Sequence, residues 1–230
     1  MLTHTHTTLT MLVPLLFRRL LTIPTSPPPS ASLHLTMTTK AISNSIDTMM
    51  APTDVLHFWF EELTPKDWFN PSNPVELDAK IRDKFEHLLE KASACELSSW
   101  RSTPDGSLAE IIVLDQFSRN IYRNTPKAFA QDPLALGLAQ EAIGKGFDKV
   151  MEPSKLSFLY MPFMHSESRL IHERAMELFD TPGLEMQFDF EKKHKAIIDR
   201  FGQYPHRNEI LGRLSTEEED AFLKQPGSSF

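Results

Sequence analysis

Residues 199–208 read Asp-Arg-Phe-Gly-Gln-Tyr-Pro-His-Arg-Asn. Gly202 allows a positive φ and Pro205 cannot continue a helix, so the stretch predicts a shaped turn rather than a helix interior. Charged and amide side chains crowd this turn between two aromatic residues. We therefore expect the polar side chains to face inward, toward a ligand or a partner.

Residues after Ala51 carry apolar side chains at helical spacing, and no segment alternates as a strand does. Proline pairs and turn residues separate the predicted helices, at Asn73-Pro74, Asp132-Pro133, Glu152-Pro153 and Thr181-Pro182-Gly183. The pattern predicts an all-α fold, an irregular helical bundle or a stack of sequence-adjacent helix pairs.

The first fifty residues differ in composition from the rest and contain one acidic residue, Asp47. We interpret residues 1–50 as a disordered extension or as a mitochondrial transit peptide. A further alternative is that translation starts later, at Met37, Met49 or Met50. The predicted location is therefore cytoplasmic, or mitochondrial if the extension is a transit peptide. Residues 51–225 are expected to form a single helical domain, and residues 226–230 a tail.

Composition excludes several classes of protein and of site. The net charge of −7 disfavours a nucleic-acid partner, which would need a basic face. The apolar run at residues 11–17 is too short for a membrane span. The single cysteine, Cys95, cannot form an intrachain disulfide or a thiolate zinc site. The sequence does not indicate an oligomeric state.

Two polar rows follow one predicted helix, which begins with Ser107 as its cap and runs through Tyr122. The first row recurs every four residues and consists of Asp115, Arg119 and Arg123. The second lies beside it and consists of Gln116, Asn120 and Asn124. Rows so poor in lysine and glutamate favour a partly enclosed wall, although a solvent-exposed row of ion pairs is the alternative. By contrast, Asp78 and Arg82 are expected to be a solvated pair on the preceding helix.

Histidines lie at or near several predicted breaks between helices. His165 and Glu167 follow the kink or break that Pro162 predicts in its helix. His194 lies late in the predicted helix that ends near Phe201, and His206 lies in the turn. If these segments meet at one cavity, a histidine beside a carboxylate is suited to general acid–base chemistry at neutral pH. The candidate catalytic residues are His165, Glu167, His194 and His206.

The arginines near these histidines favour an anion over a metal ion, because guanidinium groups bind carboxylate or phosphate through paired hydrogen bonds. The candidate ligand-binding residues are Asp115, Arg119, Asn120, Arg123, Arg200, Arg207 and Asn208. Neither His-Glu-x-x-His nor a glycine-rich phosphate loop is present, so we predict no metal and no cofactor. The alternative is that the acidic residues neutralise these arginines in a purely structural network.

These same segments resemble a family catalogued as domain of unknown function nine hundred and twenty-four, found in bacteria and fungi. The similar stretches are residues 115–123, Met164-His165-Ser166-Glu167, His194, residues 200–208 and Leu211-Gly212-Arg213. The resemblance covers roughly residues 55–223 and implies an all-helical fold similar to tetratricopeptide repeats, without an established activity. The usual family pattern has proline where Ser118 stands and Arg-Phe where Gln203-Tyr204 stand.

Two functions of different class follow. The first is a pocket whose arginines hold a small anionic ligand while a histidine moves a proton. The second is a tetratricopeptide-like scaffold that binds a protein or peptide in a groove, with the polar cluster serving only the fold.

Overall fold

The computed structural model describes residues 50–229, and these residues form helices and connecting turns without a strand. The all-α prediction is confirmed. The interpretation of the amino-terminal extension concerns residues that lie outside the described range, apart from residue 50. Within that range, no helix is both long enough and apolar enough to cross a membrane.

The first half contains α1 Pro52–His57, α2 Pro65–Phe69, α3 Pro74–Ser93, α4 Pro104–Ile112 and α5 Ser118–Ile121. The second half contains α6 Asp132–Gly144, α7 Pro153–Met164, α8 Arg169–Phe179, α9 Glu185–Phe201, α10 Asn208–Leu211 and α11 Glu217–Leu223. Two π-helical segments, Phe58–Glu62 and Val113–Phe117, continue α1 and join α4 to α5. Short 3₁₀ turns occupy Ser98–Ser102, Pro126–Phe129, Phe147–Val150 and Pro205–Arg207.

Helix starts mostly follow the local sequence. Asn73 caps α3 by accepting a hydrogen bond from the backbone N–H of Glu76. Thr216 and Glu219 form a reciprocal capping box at the start of α11. The cap of α4, however, is Thr103 rather than the predicted Ser107, because Pro104 occupies the first helical position and starts the helix earlier.

The core is built around aromatic rings contributed by separate helices. Phe58, Phe85 and Phe117 are fully buried, and the ring centroids of Phe85 and Phe117 lie 4.6 Å apart. Helix α1 packs on α4, and α7, α8 and α9 pack successively against one another. The end of α7 is thereby brought beside the end of α9.

The turn after α9 forms as the sequence predicts. Gly202 has a φ of 73° and ends the helix, and Pro205 begins the next 3₁₀ turn. Between them, Tyr204 is buried, with 1% of its surface exposed. Its hydroxyl donates to the backbone carbonyl of Met164, 2.5 Å away, so the turn is fastened to the end of α7.

Candidate functional site

Side chains hold the end of α7 through the backbone carbonyls of residues 164–166. The carbonyl of residue 164 accepts a hydrogen bond from the Tyr204 hydroxyl. The carbonyl of residue 165 accepts one from Arg207 at 3.1 Å, and the carbonyl of residue 166 accepts one from His172 at 2.8 Å. The last carbonyls of a helix have no partner within it, so side-chain donors are needed when the end is buried. This capping fixes the loop that carries His165, Ser166 and Glu167.

A buried histidine–carboxylate pair links this loop to the second π-helical segment. Nδ1 of His165 lies 2.8 Å from Oδ1 of Asp115, whose exposed fraction is 1%. Gln116 donates to the other carboxylate oxygen, and Arg119 donates to the backbone carbonyl of Asp115. The wide π-turn at Val113–Phe117 sets the direction of Asp115, and such turns are frequent at functional sites.

The protonation states of this pair follow from burial and from the neighbouring guanidinium. Burial alone would raise the pKa of Asp115, but His165 and Arg119 outweigh it and hold that pKa well below its usual range. Burial and Arg119 together lower the pKa of His165. At neutral pH the carboxylate is therefore ionised and the imidazole neutral, with its Nδ1–H donated to Asp115 and the lone pair on Nε2.

Asp132, at the start of α6, bridges two arginines. Its carboxylate accepts hydrogen bonds from both terminal nitrogens of Arg119, at 2.8 and 3.0 Å, and from one terminal nitrogen of Arg207, at 3.1 Å. Arg207 is 6% exposed, and its guanidinium carbon lies 4.6 Å from the ring centroids of both Phe129 and Tyr204. Its buried Nε has no hydrogen-bond acceptor among residues 50–229. Asp132 was not among the predicted site residues, because the sequence indicates only that it begins a helix.

Glu167 is held in a second ion pair beside the first. Arg213 donates to both carboxylate oxygens, at 2.7 and 3.0 Å, and the backbone N–H of Tyr204 donates at 2.7 Å. Burial would raise the pKa of Glu167, but these hydrogen bonds prevail and lower it. Glu167 is therefore an ionised carboxylate whose oxygens are already engaged, which does not suit it to proton transfer.

A cavity of about 360 Å³ opens among these groups. Its polar lining consists of Asp132, His165, Ser166, Glu167 and Arg207. Its remaining lining is apolar and consists of Pro126, Phe129, Ala130, Pro133, Leu136 and Leu211. The volume lies at the small end of the range for ligand pockets.

Comparison with known proteins identifies the family. A family model described as bacterial protein of unknown function (DUF924) matches residues 55–227. The chain belongs to the DUF924 family. A solved structure of a protein of unknown function from Agrobacterium tumefaciens is 34% identical and superposes with a TM-score of 0.71. The match covers 81% of this DUF924 chain and 98% of the Agrobacterium chain. A comparison with curated proteins finds no match.

The two polar rows of the DUF924 chain divide between two places. Asp115 and Arg119 belong to the cluster around His165, whereas Asn120 and Arg123 donate to Asp78 of α3. Asp78 is 9% exposed, so the expectation of a solvated carboxylate at this position was wrong. The cause is the approach of α5 and of the residues that follow it, whose amide and guanidinium groups cover the Asp78 carboxylate.

His194 and His206 surround Tyr204 and lie outside the lining of the cavity. Their ring centroids lie 5.7 and 5.5 Å from that of Tyr204. Burial lowers the pKa of His194 to about 3 and that of His206 to about 4, so both are neutral at pH 7. Of the predicted catalytic histidines, His165 is the one that lines the cavity.

Arg200 and Asn208 also take separate positions. Arg200 lies at the surface, where its Nε donates to Glu218 at 2.8 Å, and it is not part of the cluster. Asn208 is buried, and its Oδ1 accepts a hydrogen bond from Nε of Arg213 at 2.9 Å. It therefore supports the arginine that holds Glu167. Its role is one of orientation, since it is absent from the cavity lining.

A buried network behind the cavity was missed by the sequence analysis. His172 and Glu191 are both fully buried, with Nδ1 of the histidine 2.6 Å from the carboxylate. Burial raises the pKa of Glu191. Across the described range, no group of three or more histidine, cysteine or acidic residues is arranged to hold a metal ion.

Proposed function

We propose that the cavity of this DUF924 protein binds a small anionic ligand at Arg207 and that His165 exchanges a proton with it. The observation that carries the proposal is the state of Arg207. Its guanidinium lines the cavity between two aromatic rings, yet its buried Nε has no acceptor among the described residues. A buried donor without an acceptor is costly. A guanidinium on the wall of a cavity is suited to bind an anion through charge-assisted hydrogen bonds.

The environment of His165 supports the second half of the proposal. Asp115 fixes the imidazole through Nδ1, in the way a carboxylate orients the histidine of a general-base pair. The neutral ring then keeps a lone pair on Nε2, on a side chain that is 16% exposed and lines the cavity. A proton acceptor therefore lies in the same cavity as the candidate anion site.

The test is a thermal-shift screen of the full chain against small carboxylates, inorganic phosphate and divalent metal chlorides. A ligand at one hundred times its Kd would stabilise the folded state by about 2.7 kcal/mol, which raises Tm by several degrees. Arg207→Gln should abolish that shift, whereas Arg200→Gln, which changes a surface arginine, should keep it. The proposal fails if no anion moves Tm, or if the Arg207→Gln variant folds and still responds.

A peptide-binding scaffold with a structural polar cluster is the second candidate. It is favoured by the charge balance of the cluster, in which the carboxylates and guanidiniums are equal in number and bonded to one another. The groups are Asp115, Asp132, Glu167, Arg119, Arg207 and Arg213. A network so matched needs no ligand to hold it together. Clear unfolding of the His165→Ala variant would support this candidate, whereas a folded variant that has lost its ligand response would support the first.

A further inference from the structure

The charge balance of the cluster restricts what the cavity can accept. Asp115, Asp132 and Glu167 contribute negative charge, and Arg119, Arg207 and Arg213 contribute positive charge. With His165 neutral, these charges cancel. An anion that enters beside Arg207 therefore adds a negative charge that no group in the cluster offsets, and an uncompensated charge is costly among partly and fully buried groups.

His165 is the group able to supply the missing positive charge. Charged and titratable groups surround it on several elements. Asp115 lies on the π-helical segment, Arg119 on α5 and Asp132 on α6. Glu167 lies on the same loop, His194 on α9 and Arg207 in the turn. The acidic and guanidinium groups are engaged in ion pairs. Its Nε2 can accept a proton while Nδ1 keeps its hydrogen bond to Asp115.

We infer that the cavity takes up a monoanionic carboxylic acid together with one proton, and that His165 binds the proton. The inference rests on the proposed function and specifies its ligand. The proton comes from solvent and is added at Nε2, so no other bond forms or breaks and the filled cluster is again neutral. The burial that disfavours the imidazolium in the empty cavity is then offset by the ligand's charge.

The lining favours a carboxylate over a phosphate. A phosphate monoester carries about 1.5 to 2 negative charges at pH 7, more than one histidine can balance, whereas a carboxylate carries one. Beyond the polar end, the wall is formed by Phe129, Pro133 and Leu136, which suit a short hydrocarbon chain. The ligand class is therefore a small carboxylic acid with an apolar body.

The test is isothermal titration calorimetry of the full chain with propionate at pH 7.0, in two buffers of different ionisation enthalpy. The difference in heat should report uptake of about one proton per propionate bound. Affinity should rise up to about tenfold for each unit by which the pH falls, as long as the free histidine is neutral and the bound one is protonated. The imidazole resonances of His165 should show the same change by NMR, without any substitution.

A matched pair of variants separates His165 from other histidines. His165→Gln should bind propionate more weakly and without proton uptake, while His57→Gln, at an exposed site on α1, should behave as the parent chain does. Propionate binding without proton uptake would overturn the inference and leave the proposed function standing. Failure of every anion to bind would overturn both, and binding of phosphate alone would overturn the inference and leave the proposed function standing.

Discussion

Nδ1 of His165 lies 2.8 Å from the carboxylate of Asp115, although the two residues are fifty positions apart in the chain. The contact joins the loop after α7 to the π-helical segment between α4 and α5. An ionised carboxylate can only accept hydrogen bonds, so Nδ1 must carry the proton of the neutral imidazole. The contact therefore fixes both the orientation and the tautomer of the ring. The fold therefore sets the chemical state of the one predicted catalytic histidine that lines the cavity.

Asp132 is expected to be the most sensitive single residue of the cluster. Asp132→Ala removes the shared acceptor of Arg119 and Arg207 and leaves two largely buried guanidiniums without it, which should lower the free energy of unfolding by about 3–5 kcal/mol. Urea unfolding measures the loss. Asp189→Ala, which breaks an exposed pair with Lys192, is the control and should change stability little. A loss as small as that of the control would contradict the bridging role.

The sequence predicts local structure well here because local structure has local causes. Asn73-Pro74 and Gly202 mark a helix start and a helix end through backbone conformations that few other residues favour. The contacts that long side chains make depend instead on which helices pack together. Arg200 and Arg207 both belong to the stretch 199–208, yet one reaches Glu218 at the surface and the other lies in the cluster.

Asp132 and Tyr204 were absent from the predicted site because their contacts also depend on which helices pack together. Asp132 bears no mark in the sequence beyond its place before a proline, and its role arises when α6 packs beside the turn. Tyr204 stands out only as an aromatic residue between Gly202 and Pro205. Its contact with Met164 depends on the approach of α9 to α7, which no spacing rule predicts. A buried hub can therefore be recognised only once the helices are placed.

Stability is expected to fall as the pH is lowered from 6.5 to 5, above the range in which ordinary carboxylates titrate. Burial lowers the folded-state pKa of His165, His194 and His206 below the unfolded value, so in this window the unfolded chain binds more protons than the folded one. His194 and His206, whose folded pKa values lie near 3 and 4, should each cost about 1.4 kcal/mol per pH unit below about 6.5, and His165 acts in the same direction. Glu191, whose pKa burial raises, acts in the opposite direction but is outnumbered.

Urea titrations at several pH values measure this dependence, and variants assign it. His194→Gln should flatten the slope by the share of one histidine, since it removes a group whose folded pKa is about 3. His57→Gln, at an exposed histidine, should leave the slope unchanged. Equal stability of the parent chain at pH 6.5 and pH 5 would show that these histidines do not stay neutral in the folded state.

The hydroxyl of Tyr204 is expected to stabilise the junction between the turn and α7. Tyr204→Phe keeps the ring but removes the donor to the Met164 carbonyl, which should lower the free energy of unfolding by about 1–3 kcal/mol. Tyr160→Phe is the matched control, because its hydroxyl lies 3.4 Å from Asp148, too far for a strong hydrogen bond. Chemical unfolding of both variants decides the matter, and equal losses would mean that the junction does not depend on this hydroxyl.

Gly202 is expected to be required for its backbone conformation rather than for lack of space. A Cβ at this position would meet nothing closer than a guanidinium nitrogen of Arg169 at 4.0 Å, but its φ of 73° is strained for any residue with a side chain. Gly202→Ala should therefore lower the free energy of unfolding by about 1–2 kcal/mol. Gly137→Ala, in open space within α6, should raise it by about 0.5–1 kcal/mol, because alanine suits a helix better than glycine. Thermal unfolding of the two variants gives opposite signs if conformation decides both effects, and a shift of the same sign would refute that explanation.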